Sequence, residues 1–237
     1  MRQKDFFEFK QFTICQQHAA MKVGTDSDLL GTLAAGGLRI LDIGTGTGII
    51  ALMMAQRFPE AKITAVEIDD QAVMDAKLNF EQSPFSDRIE LIHSSFQDYL
   101  ASNPAAEFDC VVCNPPYFDK STECPDLGRT RARHTSSLPF SVLVSGAYNL
   151  LKDEGVFSVC IPPEVLDDFT TECLLKGFWL QDNYQVKSMP HKPAKRYVLV
   201  HKKGKCVSPR AYTYCMRNAD SSRSDWYKEQ LKDFHLG

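Results

Sequence analysis

The chain has 237 residues, of which 43% are hydrophobic and 24% are charged, and its formal net charge is −3. No stretch approaches the roughly 18 consecutive apolar residues of a membrane-spanning helix, and the first residues lack the apolar core of a secretion signal, so we expect a cytoplasmic protein. Eight cysteines are too sparse for a disulfide scaffold at this length. The composition therefore indicates one globular domain with short extensions.

The N-terminal segment combines an aromatic-rich stretch with a capped helix. Residues 6–15 alternate aromatic and polar side chains with a period near two, which predicts a short hairpin that returns through residues 16–23. Residues 25–27 are good N-caps for a helix over 28–35, and Gly36 is a good stop. We expect the aromatic rings to cover a core, although rings this dense can also stack on bases.

The stretch around which the chain is organised is a glycine-rich junction between a strand and a helix. The apolar run at 39–43 is typical of a strand buried on both faces, and the run at 48–57 predicts a buried helix. Gly44, Gly46 and Gly48 have no side chains, so a ligand can lie against the backbone amides at the positive end of that helix. The junction predicts a cofactor site.

The acidic residues around this junction indicate which kind of cofactor it binds. The spacing is D-x-G-x-G-x-G with Asp42 in front, whereas the dinucleotide pattern needs a glycine where this chain has Ile49. Glu67 ends the next predicted strand, where a carboxylate can accept both hydroxyls of a ribose. A glycine turn beside a surface acid is the alternative, and the presence of Glu67 favours a nucleoside cofactor.

From residue 39 onward, predicted strands and helices alternate. The order predicts an α/β fold of the Rossmann-like kind, with a mainly parallel seven-stranded sheet, helices on both faces and ligands at the carboxyl ends of the strands. Residues 1–38 form a hairpin and helix extension that packs on a core at 39–204, and residues 205–237 add a strand and a helix to the same domain. The predicted strands are 39–43, 62–67, 88–93, 108–113, 155–161, 179–187 and 196–202, and the predicted helices of the core are 48–57, 70–82 and 138–150.

The fourth predicted strand ends in Asn114-Pro-Pro-Tyr117, the most specific signal in the sequence. Pro115 and Pro116 hold the backbone rigid just beyond the strand. If the substrate is a planar amine, the Asn114 side-chain oxygen and the Pro115 carbonyl can each accept one of its hydrogens, which points the nitrogen lone pair at an electrophile. Tyr117 can stack on the ring that carries the amine. A rigid loop without chemistry is the alternative, and the position at a strand end of a cofactor fold favours catalysis.

Cysteine and histidine show no spacing typical of metal ligands. Cys110 and Cys113 lie in one apolar run without a second pair, and we expect both to pack as small hydrophobic residues. The six histidines are scattered along the chain. We predict no metal site.

Basic residues are concentrated in one part of the chain. Residues 181–217 carry nine lysines and arginines against one aspartate, a net charge of +8, which leaves −11 for the remainder. Such asymmetry indicates a surface for a polyanion, and a solvated basic hairpin is the alternative. The candidate phosphate-binding residues in this segment and in the loop after Tyr117 are Arg129, Arg131, Arg133, Lys192, Lys195 and Arg196.

Two of these motifs resemble known enzymes. The glycine motif with Glu67 resembles the first two motifs of the Rossmann-like, class I methyltransferases that use S-adenosylmethionine, and Asn114 to Tyr117 resembles the signature of members that methylate adenine N6, cytosine N4 or the glutamine side-chain amide. The resemblance implies that S-adenosylmethionine is the cofactor, and Ser95 stands where these enzymes usually place a carboxylate against the adenine. The positions that the resemblance assigns to the cofactor are Lys22, Thr25, Asp26, Asp42, Gly44, Gly46, Gly48, Glu67, Ile68, Ser95 and Phe96.

The flanking segments separate the possible substrates. Residues 9–12, 20–26, 129–137 and 190–196 together resemble the bacterial valine-tRNA adenine-N6 methyltransferases, which modify the adenine just 3′ of the anticodon. Release-factor glutamine methyltransferases resemble the core equally well, but they carry a sizeable helical domain ahead of the glycine motif. The resemblance therefore implies a tRNA methyltransferase with tRNA as its partner. Protein glutamine methylation and a non-catalytic module that binds cofactor and RNA remain open as alternatives.

Overall fold

A computed structural model describes residues 5–115 and 138–236. The central strands of its large sheet form where the sequence carries short apolar runs, because a strand covered on both faces buries nearly every side chain. The strands are β1 (Phe6–Glu8), β2 (Thr13–Cys15), β3 (Arg39–Ile43), β4 (Lys62–Glu67), β5 (Ile89–His93), β6 (Phe108–Cys113), β7 (Leu151–Ile161), β8 (Phe178–Lys187), β9 (Ala194–Lys203) and β10 (Arg210–Cys215).

Helices cover both faces of the large sheet. Alternate residues of each strand face opposite layers: Ile40 of β3 packs in one core and its neighbour Leu41 in the other. The helices are α1 (Thr25–Leu33), α2 (Ile49–Arg57), α3 (Asp70–Glu81), α4 (Phe96–Ser102), α5 (Phe140–Leu150), α6 (Leu166–Lys176) and α7 (Asp225–Leu231). Side chains of α1, α2, α3 and α7 share the first core, and those of α4, α5 and α6 share the second.

The large sheet has eight strands in the order β10-β8-β9-β7-β6-β3-β4-β5. Only β9 runs antiparallel to its neighbours, so the mainly parallel sheet is confirmed. The predicted number of seven strands is wrong, because β10 pairs in parallel with β8 and extends the edge of the sheet. Parallel strands share one carboxyl edge, and the amino end of β9 lies at that same edge.

Most predicted boundaries of the core agree with the structure, and the differences lie at the ends of elements and in two short helices. β7 begins at Leu151, earlier than the predicted 155, and the N-terminal hairpin is confined to β1 and β2. Helices α4 and α6 were not predicted. In the part of the chain that the structure describes, no helix is long and apolar enough to cross a membrane.

The two ends of the chain pack against each other over the first core. The Lys10 amide donates to the Phe234 carbonyl at 2.7 Å, and Phe9 forms a backbone bridge with His235. Asp28 of α1 accepts hydrogen bonds from the Tyr227 hydroxyl at 3.3 Å and from the His235 ring at 3.1 Å. These contacts join residues from both terminal segments to α1, and the predicted division at 38 and 205 stays a prediction.

Candidate functional site at the carboxyl edge

Strand register brings the predicted motifs into one line. Ile43 pairs with Cys113 on one side and with Val66 on the other, and Glu67 pairs with His93. Asn114 therefore follows β6 directly beside the glycine loop that follows β3, with Glu67 on the far side of that loop. Strands lie about 4.8 Å apart, so the backbones at Asn114 and Glu67 are about 10 Å apart across the loop.

The glycine loop is held open by its backbone conformation. Gly44 and Gly46 have φ angles of +68° and +58°, a region that residues with a side chain rarely adopt. A Cβ atom at either position would meet no atom of the described residues within 4 Å, so among these residues the space beside the loop is open. The Gly44 amide donates to the Val66 carbonyl at 2.8 Å, and helix α2 then begins without a side-chain cap. The amides of its first two residues cannot bond within the helix and can bind a ligand, whereas the Ala51 amide hydrogen-bonds to the Asp42 carboxyl.

Glu67 is buried and binds the glycine loop itself. Its Oε2 accepts a hydrogen bond from the Gly46 amide at 2.8 Å, and its Oε1 accepts from the amides of Ile68 and Asp69, each at 2.9 Å. An ionised carboxylate has about four acceptor positions, so about one remains. The expected binding of both ribose hydroxyls therefore requires release of one amide.

Asp42 lies beneath the loop with no exposed surface. Its Oδ2 accepts a hydrogen bond from the Thr45 hydroxyl at 2.6 Å, while its Oδ1 has no hydrogen-bond partner among the described residues. Burial raises the pKa of Asp42 to about 7; the Thr45 hydrogen bond lowers that pKa and the charge of Glu67 raises it further. This carboxyl therefore keeps its proton to a higher pH than an ordinary aspartate.

Two polar residues of α3 tie the N-terminal segment to the glycine loop. The Asn79 side chain donates to the carbonyls of both Cys15 and Thr47 at 2.8 Å and accepts from the Cys15 amide at 2.7 Å. Asp75 accepts from the amides of His18 and Ala19 and from the His18 ring, at 2.8 to 2.9 Å. Burial pushes the pKa of Asp75 upward, but the hydrogen bonds from Ala19 and His18 outweigh burial and hold the pKa below its ordinary value.

The roles of Asp75 and Asn79 were not predicted from the sequence. A signal was available, because the two residues are spaced i,i+4 on the face of α3 that also carries the buried Ala72, Ala76 and Phe80. A polar residue on the buried face of an amphipathic helix needs a partner, and here the partners are backbone groups of the N-terminal segment and of the glycine loop.

Two charged side chains of the segment at 22–26 bond to other residues of the protein. The Lys22 ammonium donates to the Gln16 carbonyl, and Asp26 forms an ion pair with Arg196 at 2.7 Å. The expected capping by residues 25–27 is wrong in detail: Gly24 is the N-cap, Thr25 is the first helical residue, and Ser27 hydrogen-bonds back to Gly24. The helix also ends at Leu33, two residues before the predicted end.

The residues after β4 and β5 present different surfaces to the crevice. Ile68 is 49% exposed beside Glu67, whereas the Phe96 ring is only 5% exposed and packs over Gly146 of α5. Ser95 caps α4: its hydroxyl accepts from the Asp98 amide at 3.0 Å and donates to the Asp98 carboxylate at 2.6 Å. Ile68 is thus an apolar side chain that a ligand at this edge can contact. The Phe96 ring, which was expected to contact the cofactor, is buried in the core.

The motif from Asn114 to Tyr117, which the sequence predicts to be catalytic, is described only in part. Asn114 is partly exposed at the end of β6, and Pro115 is buried. Pro116 and Tyr117 lie outside the described residues, as do Arg129, Arg131 and Arg133 of the following loop. Cys113, the last residue of β6, is buried; burial raises the pKa of its thiol, and the charges of Asp42 and Glu67 raise it further. Cys110 is also buried in β6.

The hairpin between β8 and β9 lies at the same edge as Asn114. Lys192 and Lys195 are exposed there, while Arg196 is partly buried in its ion pair with Asp26. This pair connects the candidate phosphate-binding hairpin to the first helix. The three positive charges therefore reach the carboxyl edge, with Arg196 already partnered by an acid.

Comparisons with known proteins identify the family. Residues 18–137 match the family described as Methyltransferase small domain. A Bacteroides thetaiotaomicron protein named tRNA1(Val) (adenine(37)-N6)-methyltransferase is 42% identical, with 98% of this chain and 97% of that protein aligned. The chain belongs to this tRNA1(Val) (adenine(37)-N6)-methyltransferase family. A member from Vibrio campbellii is 38% identical over 97% of this chain and 95% of its own length.

Solved structures show that this family member has the methyltransferase fold. A predicted O-methyltransferase from Agrobacterium tumefaciens superposes with a TM-score of 0.69 at 20% identity, covering 88% of this chain and 96% of that protein. The structure of P. horikoshii TYW2 in complex with MeSAdo superposes with a TM-score of 0.58 at 13% identity, covering 83% of this chain and 70% of that one. At these identities the likeness concerns the fold.

The residues present fit the cofactor that the family implies. Open space beside Gly44 and Gly46 admits a ligand against the backbone, the Glu67 carboxylate accepts a hydroxyl donor, and the amides at the start of α2 lack a side-chain cap. The buried Asp42 Oδ1, which has no partner among the described residues, adds an acceptor beneath the loop. A ligand with a nucleoside at one end and an amino acid at the other matches this set.

Proposed function

We propose that this protein transfers the methyl group of S-adenosylmethionine to the exocyclic N6 of an adenine in tRNA, and that this adenine lies in the anticodon loop. The supporting observation is the register that puts Asn114 and Pro115 at the strand end next to Gly44. The names of the relatives, which specify tRNA1(Val) and adenine 37, support the choice of substrate.

S-adenosylmethionine supplies an electrophilic methyl group when bound. Gly44 and Gly46 would hold the cofactor through their backbone, and Glu67 would accept a ribose hydroxyl. The Asn114 side-chain oxygen and the Pro115 carbonyl would accept the two N6 hydrogens of the adenine, so that the lone pair is aimed at the methyl carbon. Bound S-adenosylmethionine would supply the methyl group and leave as S-adenosylhomocysteine, and the extra proton on N6 would be lost to water.

No strong base is needed in this scheme, because the alkylated nitrogen loses its proton readily. Alignment of two bound reactants can lower a barrier by about 7 to 11 kcal/mol. The two hydrogen bonds add specificity for a planar NH2 group and contribute more when the closed site excludes water. Tyr117 would stack on the adenine ring.

The RNA would be held by phosphate contacts. An adenine in a loop is single-stranded, so turning it into a pocket costs only a few kcal/mol. Lys192 and Lys195 are exposed on the hairpin beside Asn114, and Arg196 lies behind them. Arg129, Arg131 and Arg133 follow the catalytic motif in sequence. Binding should therefore weaken steeply with salt, and an affinity for tRNA that barely changes between low and moderate salt would contradict this assignment.

The test separates chemistry from cofactor binding. In Asn114→Ala we expect methyl transfer to an unmodified valine tRNA transcript to fall at least about a hundredfold, because the amine loses one of two aligning acceptors. Cofactor affinity, measured by calorimetry, should stay near that of the wild type. The matched control is Asn149→Ala, an exposed asparagine of α5. Retained turnover in Asn114→Ala would refute the assigned role.

The same assay distinguishes the competing substrate. Labelled cofactor is offered with the tRNA transcript and with a release factor side by side, and the products are digested and analysed by mass spectrometry. N6-methyladenosine from the position next to the anticodon supports the proposal. Methylglutamine alone would replace it with protein methylation, and no product with intact cofactor binding would favour a non-catalytic module.

A further inference from the structure

A second basic surface continues the carboxyl edge beyond the hairpin. It consists of Lys187, Arg217 and Arg223, and we call it the C-terminal basic surface. The Met216 amide donates to the Lys187 carbonyl at 2.9 Å, and the Arg217 amide donates to the Ser188 carbonyl at 3.1 Å. The end of β10 is thereby fixed beside the end of β8, where the hairpin that carries Lys192 begins.

Two of these residues face each other with like charge. Arg217 and Arg223 are directly paired in an antiparallel bridge, and both are exposed. Within the described parts of the chain, neither arginine forms an ion pair. The acids nearby have other partners: Asp220 accepts two hydrogen bonds from Ser222, and Asp225 pairs with Lys228. Like charges directly opposite each other destabilise a strand pair, and a bound anion would relieve that repulsion.

The opposite edge of the same sheet is arranged differently. Lys202 forms an ion pair with Glu154, and the Lys203 ammonium donates to the carbonyls of Tyr148 and Leu151. Arg210 makes two hydrogen bonds to the Asp182 carboxylate, at 2.6 and 2.8 Å. At the amino edge these cations are bound by acids or carbonyls of the protein. At the carboxyl edge the Arg217 guanidinium donates to the Ser221 carbonyl at 2.7 Å, but among the described residues Arg217 and Arg223 have no acidic partner to balance their charge.

We propose that the C-terminal basic surface binds backbone phosphates of the tRNA whose adenine occupies the site at Asn114. Four strand spacings separate β6 from β10, a distance of about 19 Å, which a small anion cannot bridge and a nucleic acid can. The inference rests on the proposed function. Lys187, Arg217 and Arg223 would bind the part of the RNA that lies outside the loop containing the target base.

The fluorescence of the chain's two tryptophans can report this contact. Its two tryptophans lie at opposite edges: Trp226 stacks on Tyr214 at 4.4 Å near the C-terminal basic surface, and Trp179 is at the start of β8. Trp179→Phe leaves Trp226 as the only tryptophan, and its fluorescence should change saturably when valine tRNA transcript is added. Trp226→Phe leaves Trp179, whose fluorescence should change far less.

Charge removal measures the contact. Arg217→Ala and Arg223→Ala should each raise the Kd for tRNA on the order of fivefold to tenfold at about 0.1 M salt and lower the slope of log affinity against log salt by about 1. Arg217→Lys, which keeps the charge, should recover most of the affinity. The matched control is Lys205→Ala, an exposed lysine beyond the end of β9 at the other edge. Cofactor affinity should be unchanged in all four variants, and thermal unfolding should show that all four remain folded.

The results separate this inference from the function on which it rests. If the wild type methylates tRNA and the Kd of both arginine variants equals that of Lys205→Ala, the inference fails and the function stands. If polyglutamate displaces tRNA from the surface as effectively as unlabelled tRNA does at equal charge, the partner is an acidic protein and the inference also fails. A wild type that transfers no methyl group to tRNA overturns the proposed function instead.

Discussion

Replacing Asp42 by asparagine should stabilise the cofactor-free protein, and more so as the pH rises. Asp42 is fully buried beneath the glycine loop, and burial raises the pKa of its carboxyl from 3.8 to about 7. Between these two pH values the unfolded chain has released this proton and the folded chain still holds it. Stability must therefore fall with rising pH across that interval, and the asparagine side chain of the variant cannot ionise.

The size of the effect follows from the two pKa values. A wild-type carboxyl with these values loses about 2 kcal/mol of folding free energy at pH 5 and about 4 kcal/mol at pH 8, relative to a group that never ionises. Asparagine has nearly the shape of the protonated acid and can keep a hydrogen bond to Thr45. The stability gained by Asp42→Asn should therefore grow by about 2 kcal/mol between pH 5 and pH 8.

The assay is urea unfolding of both proteins at the two pH values without cofactor. Asp75→Asn serves as a control of opposite sign, because hydrogen bonds hold the pKa of Asp75 below its ordinary value and its contribution is present at pH 5 and pH 8 alike. That variant should be destabilised at both. A gain for Asp42→Asn that is the same at pH 5 and pH 8 would refute the reasoning, since a change of shape or packing has no such pH dependence.

Two further changes test the loop and the link between the first helix and the hairpin. Gly46→Ala places a side chain at φ +58° in the space beside the loop, so we expect a stability loss of about 1–2 kcal/mol by thermal unfolding and a much larger loss of cofactor affinity. Gly48→Ala should mainly lose stability, because its Cβ would lie 2.3 Å from the Phe80 ring. A double-mutant cycle of Asp26→Asn and Arg196→Gln should give a coupling of about 1 kcal/mol in the free energy of unfolding, and strictly additive effects would show that this ion pair contributes nothing.

The sequence predicted the strands of the core well because burial on both faces leaves a continuous apolar run. β3, β4 and β6 have the predicted bounds, and their shared carboxyl edge follows from parallel pairing. Helix α6 gave no such signal. Only Phe169 and Cys173 of its residues are buried, while Leu174 and Leu175 are exposed, so its apolar residues do not mark the face that packs on the sheet.

The sequence does not show which groups the polar side chains of the site bind. Glu67 was expected to bind a ribose, and in the structure it holds the Gly46 amide at 2.8 Å. Asn79 was unassigned, and it joins Cys15 to Thr47. Both facts depend on contacts between residues more than 20 positions apart. Spacing along the chain says which chemical group stands at a strand end, but only packing decides what occupies that group before a ligand arrives.

The basic segment at 181–217 shows the same limit for charge. Its net charge of +8 suggests one polyanion surface, yet β9 runs antiparallel for ten residues and separates its two ends by about 30 Å. Lys195 lies beside the catalytic edge, and Lys202 and Lys203 lie at the far edge, where Glu154 and backbone carbonyls bind them. A charge count cannot tell which lysines lie at which edge, because the direction of the strand decides where each residue lies. The lysines and arginines without an acidic partner at the carboxyl edge are the ones that can contribute to the salt dependence of tRNA binding.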